Sequence, residues 1–327
     1  MSAKSTIVIP NYNGIKYIEQ CLESVYGGTV TDFDVIVVDN ASTDGSLALI
    51  EEKFPKVRLI KNSKNTGFSV AVNQGIEAST TPYVILLNND TRVEKTFVRE
   101  LERVLDEDKD KKIFSASAKL ISLYDREKTD DAGDYYCALG WAFARGKGKN
   151  PDLYTKDCAI FAACAGGAIY RRELLAPDKV GSFDREHFAY LEDMDLGWRA
   201  RIFGYQNSFA ANAVVYHAGS ATSGSRYNAF KVRLAAGNSV YIIYKNMPLF
   251  QLLVNLPFLA AGFCVKTLFF ARKGLGKEYA EGLLKGVRLS LSAEGKRHKQ
   301  KFSIGRLGNY IKIQLELWMN LVRLLMG

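Results

Sequence analysis

Cysteine is scarce in this chain of 327 residues: there are five, and no two have the Cys-x-x-Cys spacing. They stand at positions Cys21, Cys137, Cys158, Cys164 and Cys264. An odd number of cysteines without paired spacing fits neither a disulfide framework nor a structural zinc site. The cysteines therefore indicate a reducing compartment, and we expect a cytoplasmic protein.

Two glycine-rich phosphate-binding loops are also missing. The first strand-like segment, residues 6–9, is followed by Pro10-Asn11-Tyr12-Asn13-Gly14, which has one glycine and an aromatic residue. A nicotinamide-dinucleotide enzyme needs Gly-x-Gly-x-x-Gly at this point, because backbone must approach a pyrophosphate there. The chain has no Gly-x-x-x-x-Gly-Lys-[Ser/Thr] segment either, which argues against a P-loop enzyme.

Acidic residues are rare towards the C-terminus. From Ser220 to Gly327 there are 17 Lys and Arg but only 4 Asp and Glu, whereas the rest of the chain is slightly acidic. The same third contains a nearly continuous apolar stretch, residues 248–270, interrupted by Gln251, Asn255, Pro257 and Lys266. Apolar segments interleaved with basic residues predict a helix hairpin lying on an anionic membrane surface. A soluble helical appendage and a true membrane span are the alternatives. No nucleic-acid partner is expected, because no aromatic and basic groove pattern is present.

The first third of the chain alternates between predicted strands and helices. Short apolar runs at residues 6–9, 34–38, 58–60 and 82–87 predict the strands. Strands without polar alternation, separated by helices, are typical of an α/β protein with a mostly parallel sheet covered on both faces. Such sheets bind ligands beyond the carboxyl ends of their strands. Here those ends carry Asn11, Tyr12, Asp39, Asn40, Asn88, Asn89 and Asp90.

Four side chains near strand ends have the chemistry to bind a nucleotide and a metal ion. Tyr12 can stack on a base, and Asp39 can accept a hydrogen bond from the base or from a ribose hydroxyl. Asp90 offers carboxylate oxygens to a divalent cation, and His217, which ends a predicted strand at 213–217, offers an imidazole. Core, turn and cap roles are the alternatives for each residue singly. Their joint placement at one sheet edge favours a binding site.

The acidic segment 188–199 predicts a helix with a second candidate site. Its apolar stripe consists of Leu191, Met194, Trp198 and Ile202. Glu192, Asp195 and Arg199 fall on one flank, whereas Asp193 points away from the stripe near the helix N-terminus. A carboxylate in that position can act as a catalytic base. The alternative is an ordinary amphipathic helix with acidic residues in its first turn.

These motifs, in order, resemble the family-two glycosyltransferases of GT-A fold. The matching segments are residues 7–14, 37–46, 65–68, 86–90, 166–172, 183–184, 190–199 and 215–217. The resemblance extends over roughly residues 5–245. Within the family, the chain is most similar to the bacterial rhamnosyltransferase-like branch, which builds cell-surface polysaccharides.

The resemblance implies roles for the matching residues. The donor nucleotide is expected at Pro10, Tyr12, Asp39, Asn65, Gly67, Asn73, Asn89 and Asp90. Asp90 ends a D-x-D-type motif and is expected to bind Mg²⁺ or Mn²⁺ together with His217. The first position of that motif is Asn88, so metal binding rests on fewer charges here. Asp193 is the expected catalytic base, kept ionised by the helix N-terminus. The acceptor or the base is expected to be oriented by Gly166, Gly167, Glu192, Asp195, Trp198 and Arg199.

The sequence thus predicts a GT-A catalytic domain at residues 1–220 and a basic, apolar helical region at 221–327. The expected activity is metal-dependent, inverting transfer of a sugar from a nucleotide diphosphate to a lipid-linked glycan. Branch resemblance favours rhamnose from dTDP-rhamnose as the donor. A UDP-hexose or UDP-N-acetylhexosamine is the alternative donor, and an inactive membrane scaffold is the competing class. The expected location is peripheral, on the cytoplasmic face of the bacterial inner membrane, and the oligomeric state is left open.

Overall fold

The computed structural model describes residues 3–219 and 227–326. Its strands are β1 (Ser5–Asn11), β2 (Phe33–Asp39), β3 (Arg58–Lys61), β4 (Tyr83–Leu87), β5 (Thr91–Val93), β6 (Ile113–Ser122), β7 (Thr129–Asp131), β8 (Asp134–Cys137), β9 (Trp141–Ala144), β10 (Cys158–Ile160), β11 (Gly167–Arg171) and β12 (Gln206–His217). Its helices are α1 (Ile18–Tyr26), α2 (Ser46–Lys53), α3 (Phe68–Ala78), α4 (Phe97–Glu107), α5 (Glu192–Ile202), α6 (Ala229–Asn246), α7 (Leu249–Arg272), α8 (Gly276–Leu291), α9 (Ala293–His298) and α10 (Leu307–Met326).

One large mixed sheet organises the chain, in the strand order β10-β12-β6-β11-β4-β1-β2-β3. The predicted parallel half is present, since β1 pairs in parallel with β2 and β4, and β2 pairs in parallel with β3. β11 runs antiparallel to β4 and β6 and joins this half to the parallel pair of β6 and β12. The predicted α/β class is confirmed.

The N-terminal strands are apolar throughout because both faces of the sheet are covered. Ile7 and Ile9 belong to one buried cluster with Val35 and Ile85, on the side covered by α1 and α4. Val8 belongs to a second buried cluster, on the side covered by α3. Successive residues of a strand point to opposite faces, so a strand buried on both sides has no polar alternation.

Strand register brings the polar strand ends together. Asn11 at the end of β1 pairs with Asp39 at the end of β2. At the other side of the edge, β12 is antiparallel to β5, and His217 pairs with Thr91. Asp90 directly precedes Thr91, so this pairing places it beside His217. A cavity of about 1100 Å³ is lined by Thr6, Phe33 and Arg58 at the opposite, amino ends of the strands.

The middle of the chain is more regular than its glycine content suggests. Four glycines between residues 133 and 148 predict a long loop-rich passage over about residues 110–220. Instead, the long strands β6 and β12 pair with each other inside the sheet there. β6 contains alternating serine and alanine, which are weak strand formers, from Ser115 to Ala118. Ser115 donates a hydrogen bond to the Asn207 side chain on β12, at 2.8 Å, so tertiary partners stabilise these strands.

The C-terminal helices α7 and α10 pack against α5 and the sheet. Leu259 of α7 and Leu317 of α10 belong to the same buried cluster as Trp198 of α5. The predicted boundary between residues 220 and 221 lies outside the described residues. Pro257 does not end α7, which continues for 24 residues.

Candidate active site

A fixed carboxylate lies at the carboxyl ends of β1 and β2. The Asp39 side chain is buried and accepts hydrogen bonds from Asn11 Nδ2 at 2.9 Å and from the Ser42 hydroxyl at 2.6 Å. Asn89 Nδ2 donates to Asn11 Oδ1 at 2.7 Å, which ties the end of β4 to the same network. Tyr12 follows β1 and is 38% exposed, so its ring is available to a ligand at this edge. Pro10 lies within β1, where it pairs with Val38.

The segment immediately before α3, residues 65–67, packs against residue 188. Asn65 is exposed, and its side-chain oxygen accepts a hydrogen bond from the Gly67 amide at 2.9 Å. Gly67 has φ of 84°, and a Cβ there would lie 2.6 Å from the Phe188 carbonyl oxygen. Glycine is required for this backbone conformation and for the close approach of residue 188.

The structure gives Asn73 a different partner from the predicted nucleoside. Its side chain is 3% exposed, donates to the Phe183 carbonyl at 2.7 Å and accepts from the Phe183 amide at 3.1 Å. Because both ends of the amide group are engaged within the protein, we assign Asn73 to anchoring the segment before α5.

A histidine and two carboxylates lie together at the ends of β12 and β4. His217 Nε2 is 3.3 Å from Asp90 Oδ1, and His217 Nδ1 is 2.7 Å from Asp130 Oδ2. Burial alone would lower the pKa of His217, but its interactions with Asp130 and Asp90 outweigh that effect and raise the pKa to about 10.

This arrangement fits a divalent cation. Two donor atoms each about 2.1 Å from one Mg²⁺ ion lie about 3 Å apart at neighbouring octahedral positions. The separation of Asp90 Oδ1 and His217 Nε2 agrees with that spacing. A metal-ligating histidine usually donates its other ring N–H to a carboxylate, and Asp130 occupies that position.

Backbone strain is concentrated immediately before Asp193. Phe188, Tyr190 and Leu191 have φ values of 58°, 71° and 68°, although none is glycine. Conformations of this kind cost about 1–3 kcal/mol each and occur where a fold positions a functional group. Asn238 of α6 holds the segment, since its Nδ2 lies 2.9, 2.9 and 2.7 Å from the carbonyl oxygens of His187, Ala189 and Tyr190.

Asp193 is half-buried in the first turn of α5, with backbone donors but no cation. Its carboxylate accepts from the Met194 amide at 2.7 Å and from the Ala165 amide at 3.3 Å. Within residues 3–219 and 227–326, no lysine, arginine or histidine forms an ion pair with it. Burial raises the pKa of Asp193, and the backbone hydrogen bonds compensate only in part. Burial therefore outweighs the backbone hydrogen bonds at this end of α5, an effect that the sequence did not predict.

Asp193 also has acidic neighbours. Donor atoms of Asp131, Asp134 and Cys164 lie within 4.8 Å of one another. Burial raises the pKa of Asp131 to about 7, and the charge of Asp193 adds to the increase. Burial raises the pKa of Glu192 to about 8, again with a contribution from Asp193. This side of α5 is thus a region in which carboxyl groups resist ionisation.

The other predicted orienting residues on α5 belong to the protein interior. Asp195 is fully buried and pairs with Arg199 at 3.0 Å and with Lys245 of α6 at 2.8 Å. Lys245 also pairs with Asp184 at 2.6 Å. Trp198 is fully buried, with its ring 4.9 Å from that of Tyr136. Because these side chains are enclosed, contact with the acceptor is excluded for them, and of the two predicted roles we retain the orientation of Asp193 through the position of α5.

Gly166 and Gly167 lie between the predicted metal ligands, Asp90 and His217, and the predicted base, Asp193. A Cβ on Gly166 would approach Asn88 Nδ2 to 3.1 Å, and a Cβ on Gly167 would approach Val215 to 3.1 Å. Ala165, which precedes them, supplies the amide that contacts Asp193. Their small size lets β11 pass close to both groups.

Sequence reasoning missed Asp130, Asp131, Asp134 and Lys245. The run Asp130-Asp131-Ala132-Gly133-Asp134 has three carboxylates within five residues, a signal that could have identified the first three. Lys245 lies in a helix without any comparable pattern, and only the tertiary fold brings it to Asp195.

Comparison with known proteins identifies the family. The family model of glycosyl transferase family 2 matches residues 6–176, which include Asp39, Asp90 and Asp130 but not Asp193 or His217. The chain belongs to glycosyl transferase family 2. The resemblance predicted from its motifs is confirmed.

Two relatives illustrate the range of this family. An Escherichia coli protein named as uncharacterized glycosyltransferase YibD is 35% identical over 108 residues, which are 32% of this chain and 31% of the relative. N-acetylglucosaminyl-diphospho-decaprenol L-rhamnosyltransferase of Mycobacterium tuberculosis is 24% identical over 234 residues, 64% of this chain and 75% of the relative. The chain thus matches less than a third of the length of the first.

Two solved structures of other proteins have a fold similar to that of this chain. A mannosyltransferase from Pyrobaculum calidifontis, in complex with GDP-Man and Mn²⁺, has a TM-score of 0.54 and 18% identity, covering 97% of this chain and 87% of that one. S. aureus TarS in complex with UDP-GlcNAc has a TM-score of 0.54 and 18% identity, covering 97% and 84%. The glycosyl transferase described here therefore has a GT-A-like fold.

Proposed function

We propose that this family 2 glycosyl transferase moves a sugar from a nucleotide diphosphate to a hydroxyl group with inversion, and that it needs Mg²⁺ or Mn²⁺. The observation that carries the proposal is the placement of Asp193, an uncompensated carboxylate with a raised pKa, beside a sheet edge that carries Asp39, Asp90 and His217. Perturbed carboxyl groups of this kind are typical of general acid–base catalysts.

In the proposed reaction, Asp193 accepts the proton of the acceptor hydroxyl as its oxygen attacks the anomeric carbon. The bond from that carbon to the diphosphate breaks, and its electron pair leaves with the nucleoside diphosphate. The amides of Ala165 and Met194 hold the Asp193 carboxylate in place. A divalent cation, held by Asp90 and His217, would neutralise charge on the leaving diphosphate. Asp39 would accept hydrogen bonds from the nucleoside, and Tyr12 would stack on its base.

Rhamnose from dTDP-rhamnose is our first choice of donor. The mycobacterial relative, named as an L-rhamnosyltransferase, supports this choice. A UDP-hexose or UDP-N-acetylhexosamine is the second candidate, favoured by the likeness to a structure bound to UDP-GlcNAc. A stacked Tyr12 ring does not by itself distinguish thymine from uracil.

A panel of nucleotide sugars tests the donor. We expect dTDP-rhamnose with Mn²⁺ to raise the melting temperature more than the UDP and GDP sugars do, and addition of a chelator to remove the effect. A larger shift with a UDP-sugar would replace rhamnose by that sugar. No shift with any donor, together with no donor hydrolysis, would support the inactive scaffold instead.

The surface of α7 supports a peripheral membrane location and a lipid-linked glycan as acceptor. Among the described helices, this one is long and apolar enough to cross a membrane, yet only 17% of its most apolar window is buried. Its polar residues Gln251 and Asn255 are fully buried against α10, whereas Leu253 and Leu256 are 62% and 59% exposed. This inside-out pattern suits an outer face in contact with lipid.

We propose that α7 and α10 lie in the cytoplasmic face of the bacterial inner membrane, where basic residues meet anionic lipid. Because α10 contributes to the core around Trp198, the test uses surface changes rather than truncation. Replacing Leu253 and Leu256 together with serine should reduce flotation with phosphatidylglycerol vesicles while leaving the melting temperature in detergent unchanged. Unchanged flotation would argue against this orientation.

A further inference from the structure

A cavity of about 490 Å³ lies between helices α6, α7 and α8 and the catalytic part. Sites for small organic ligands commonly have volumes of about 300–1,000 Å³. Most of the lining is aromatic or aliphatic, and its larger members are Trp141, Tyr190, Val265, Phe269, Phe270 and Tyr279. The cavity therefore suits an apolar group about the size of a short hydrocarbon chain.

The lining joins the catalytic loop to the lipid-facing helix. Tyr190 belongs to the strained segment that precedes Asp193 by three residues, and Asn238 holds its carbonyl at 2.7 Å. Phe269 is on α7 and is 38% exposed. A ligand in this cavity would contact both the segment that positions the base and the apolar outer surface.

The walls of the cavity are closely packed. A Cβ on Gly262 would lie 2.1 Å from the Leu139 carbonyl oxygen, so α7 sits directly on the turn between β8 and β9. The Trp141 indole N–H donates to the Gly262 carbonyl at 3.2 Å. The cavity is thus a built feature between fixed elements.

One cation in the lining lacks a counter-ion. Lys266 is half-buried, with its Nζ 5.4 Å from the centre of the Trp141 ring. Over the described ranges 3–219 and 227–326, no carboxylate forms an ion pair with Lys266. Burial lowers its pKa to about 8, an effect only slightly opposed by Cys137. A bound anion would give this partly buried ammonium group an opposite charge in addition to its contact with the Trp141 ring.

We propose that this cavity binds the lipid end of the acceptor, a polyprenyl diphosphate, with the diphosphate at Lys266 and the first isoprene units against the aromatic lining. The proposal rests on the proposed function, in which the acceptor is a lipid-linked glycan. The cavity cannot enclose a long polyprenyl chain. The remaining chain would follow the exposed apolar surface of α7.

Titration calorimetry on the full chain tests this site without any transfer reaction. The probe is farnesyl diphosphate, added in the presence of EDTA so that the metal-dependent donor site does not retain the diphosphate. We expect the native protein to bind this probe at least tenfold more tightly than it binds inorganic diphosphate, because the apolar chain is buried. Equal binding of the two compounds would overturn the proposal.

A matched pair of lysine variants tests the anion contact. Lys266→Met should weaken binding of farnesyl diphosphate by about tenfold or more, as expected for loss of a charged hydrogen bond. Lys285→Met removes the same charge from an exposed position on α8 outside the cavity lining, and should change binding less than twofold. Equal effects of the two variants, or no effect of Lys266→Met, would overturn the assignment.

Two further readouts separate this proposal from its alternatives. If Lys266→Met reduced binding to phosphatidylglycerol vesicles as strongly as binding of the probe, the cavity would take phospholipid and the proposal would be wrong. Unchanged melting temperature and donor binding would show that the variant folds. Probe binding without sugar transfer would support this site and refute the proposed function. Sugar transfer to a glycan without a lipid chain, together with no probe binding, would support the proposed function and refute this site.

Discussion

Two aspartates that are two residues apart on α5 have opposite environments. Asp195 faces Lys245 and Arg199; burial alone would raise its pKa, but these cations hold the pKa below its usual range. Asp193 faces other carboxyl groups and backbone amides, and burial raises its pKa. The carboxylate of Asp195 is compensated by cations, whereas that of Asp193 is not. Neighbouring carboxyl groups whose environments move their pKa values apart are candidates for different roles in acid–base chemistry.

Removal of Lys245, the cation shared by Asp184 and Asp195, should have the largest effect on stability. Lys245→Met leaves Asp184 and Asp195 buried without their shared lysine. We expect a loss of about 3–5 kcal/mol in the free energy of unfolding by urea denaturation. Lys285→Met, at an exposed position, should change it by less than about 0.5 kcal/mol.

The pH dependence of that loss gives a second check. Asp184 and Asp195 have lowered pKa values, so their stabilising contribution exists above about pH 3.9 and disappears as the pH falls through the folded-state values. The difference between native protein and Lys245→Met should therefore shrink in acid. A constant difference down to acid unfolding would mean that Lys245 acts by packing alone.

A substitution that loosens residues 187–190, which precede Asp193, should affect catalysis more than stability. Asn238→Ala removes the donor that holds the carbonyls of His187, Ala189 and Tyr190. We expect kcat to fall by up to about 10²-fold, because small displacements of a catalytic group are costly. The donor KM should change little in the same steady-state assay. A large rise in donor KM with kcat preserved would contradict this positioning role.

A substitution next to the proposed metal ligand His217 should have a smaller effect. Asp130→Asn keeps the shape of the side chain but removes the carboxylate next to His217 Nδ1. Metal affinity, measured by Mn²⁺ titration with nucleoside diphosphate present, should fall by about 10–100-fold. Asp125→Asn, on an exposed ion pair with Lys128, is the control and should leave the affinity unchanged.

The smallest expected change is in the pH profile of the reaction. Burial raises the pKa of Asp131 to about 7, so this group is protonated and uncharged in the acidic range where Asp193 gains its proton. Asp131→Asn should therefore leave the acidic limb of kcat/KM in place, as should Asp152→Asn, an exposed substitution. A shift of the limb by Asp131→Asn alone would show that the two carboxyl groups titrate as a coupled pair.

The local sequence predicted the polar residues at the strand ends but not the contacts between helices that are distant along the chain. Asp39, Asp90 and His217 could be found because each ends an apolar run, and strand ends meet at one edge of a parallel sheet. The partners of α5 could not be found, since Lys245 is 50 residues away from Asp195 along the chain. For the same reason, Asp195 and Arg199 looked available to an acceptor although the fold encloses them. The raised pKa of Asp193 depends on burial, which periodicity does not measure.

The central claim is that Asp193 is the base, and single-turnover transfer by Asp193→Asn tests it most directly. We predict that the rate falls by about 10²–10⁴-fold. Mn²⁺-dependent binding of nucleoside diphosphate and the melting temperature should remain those of the native protein. Transfer at the native rate by a folded, donor-saturated Asp193→Asn protein would contradict the account.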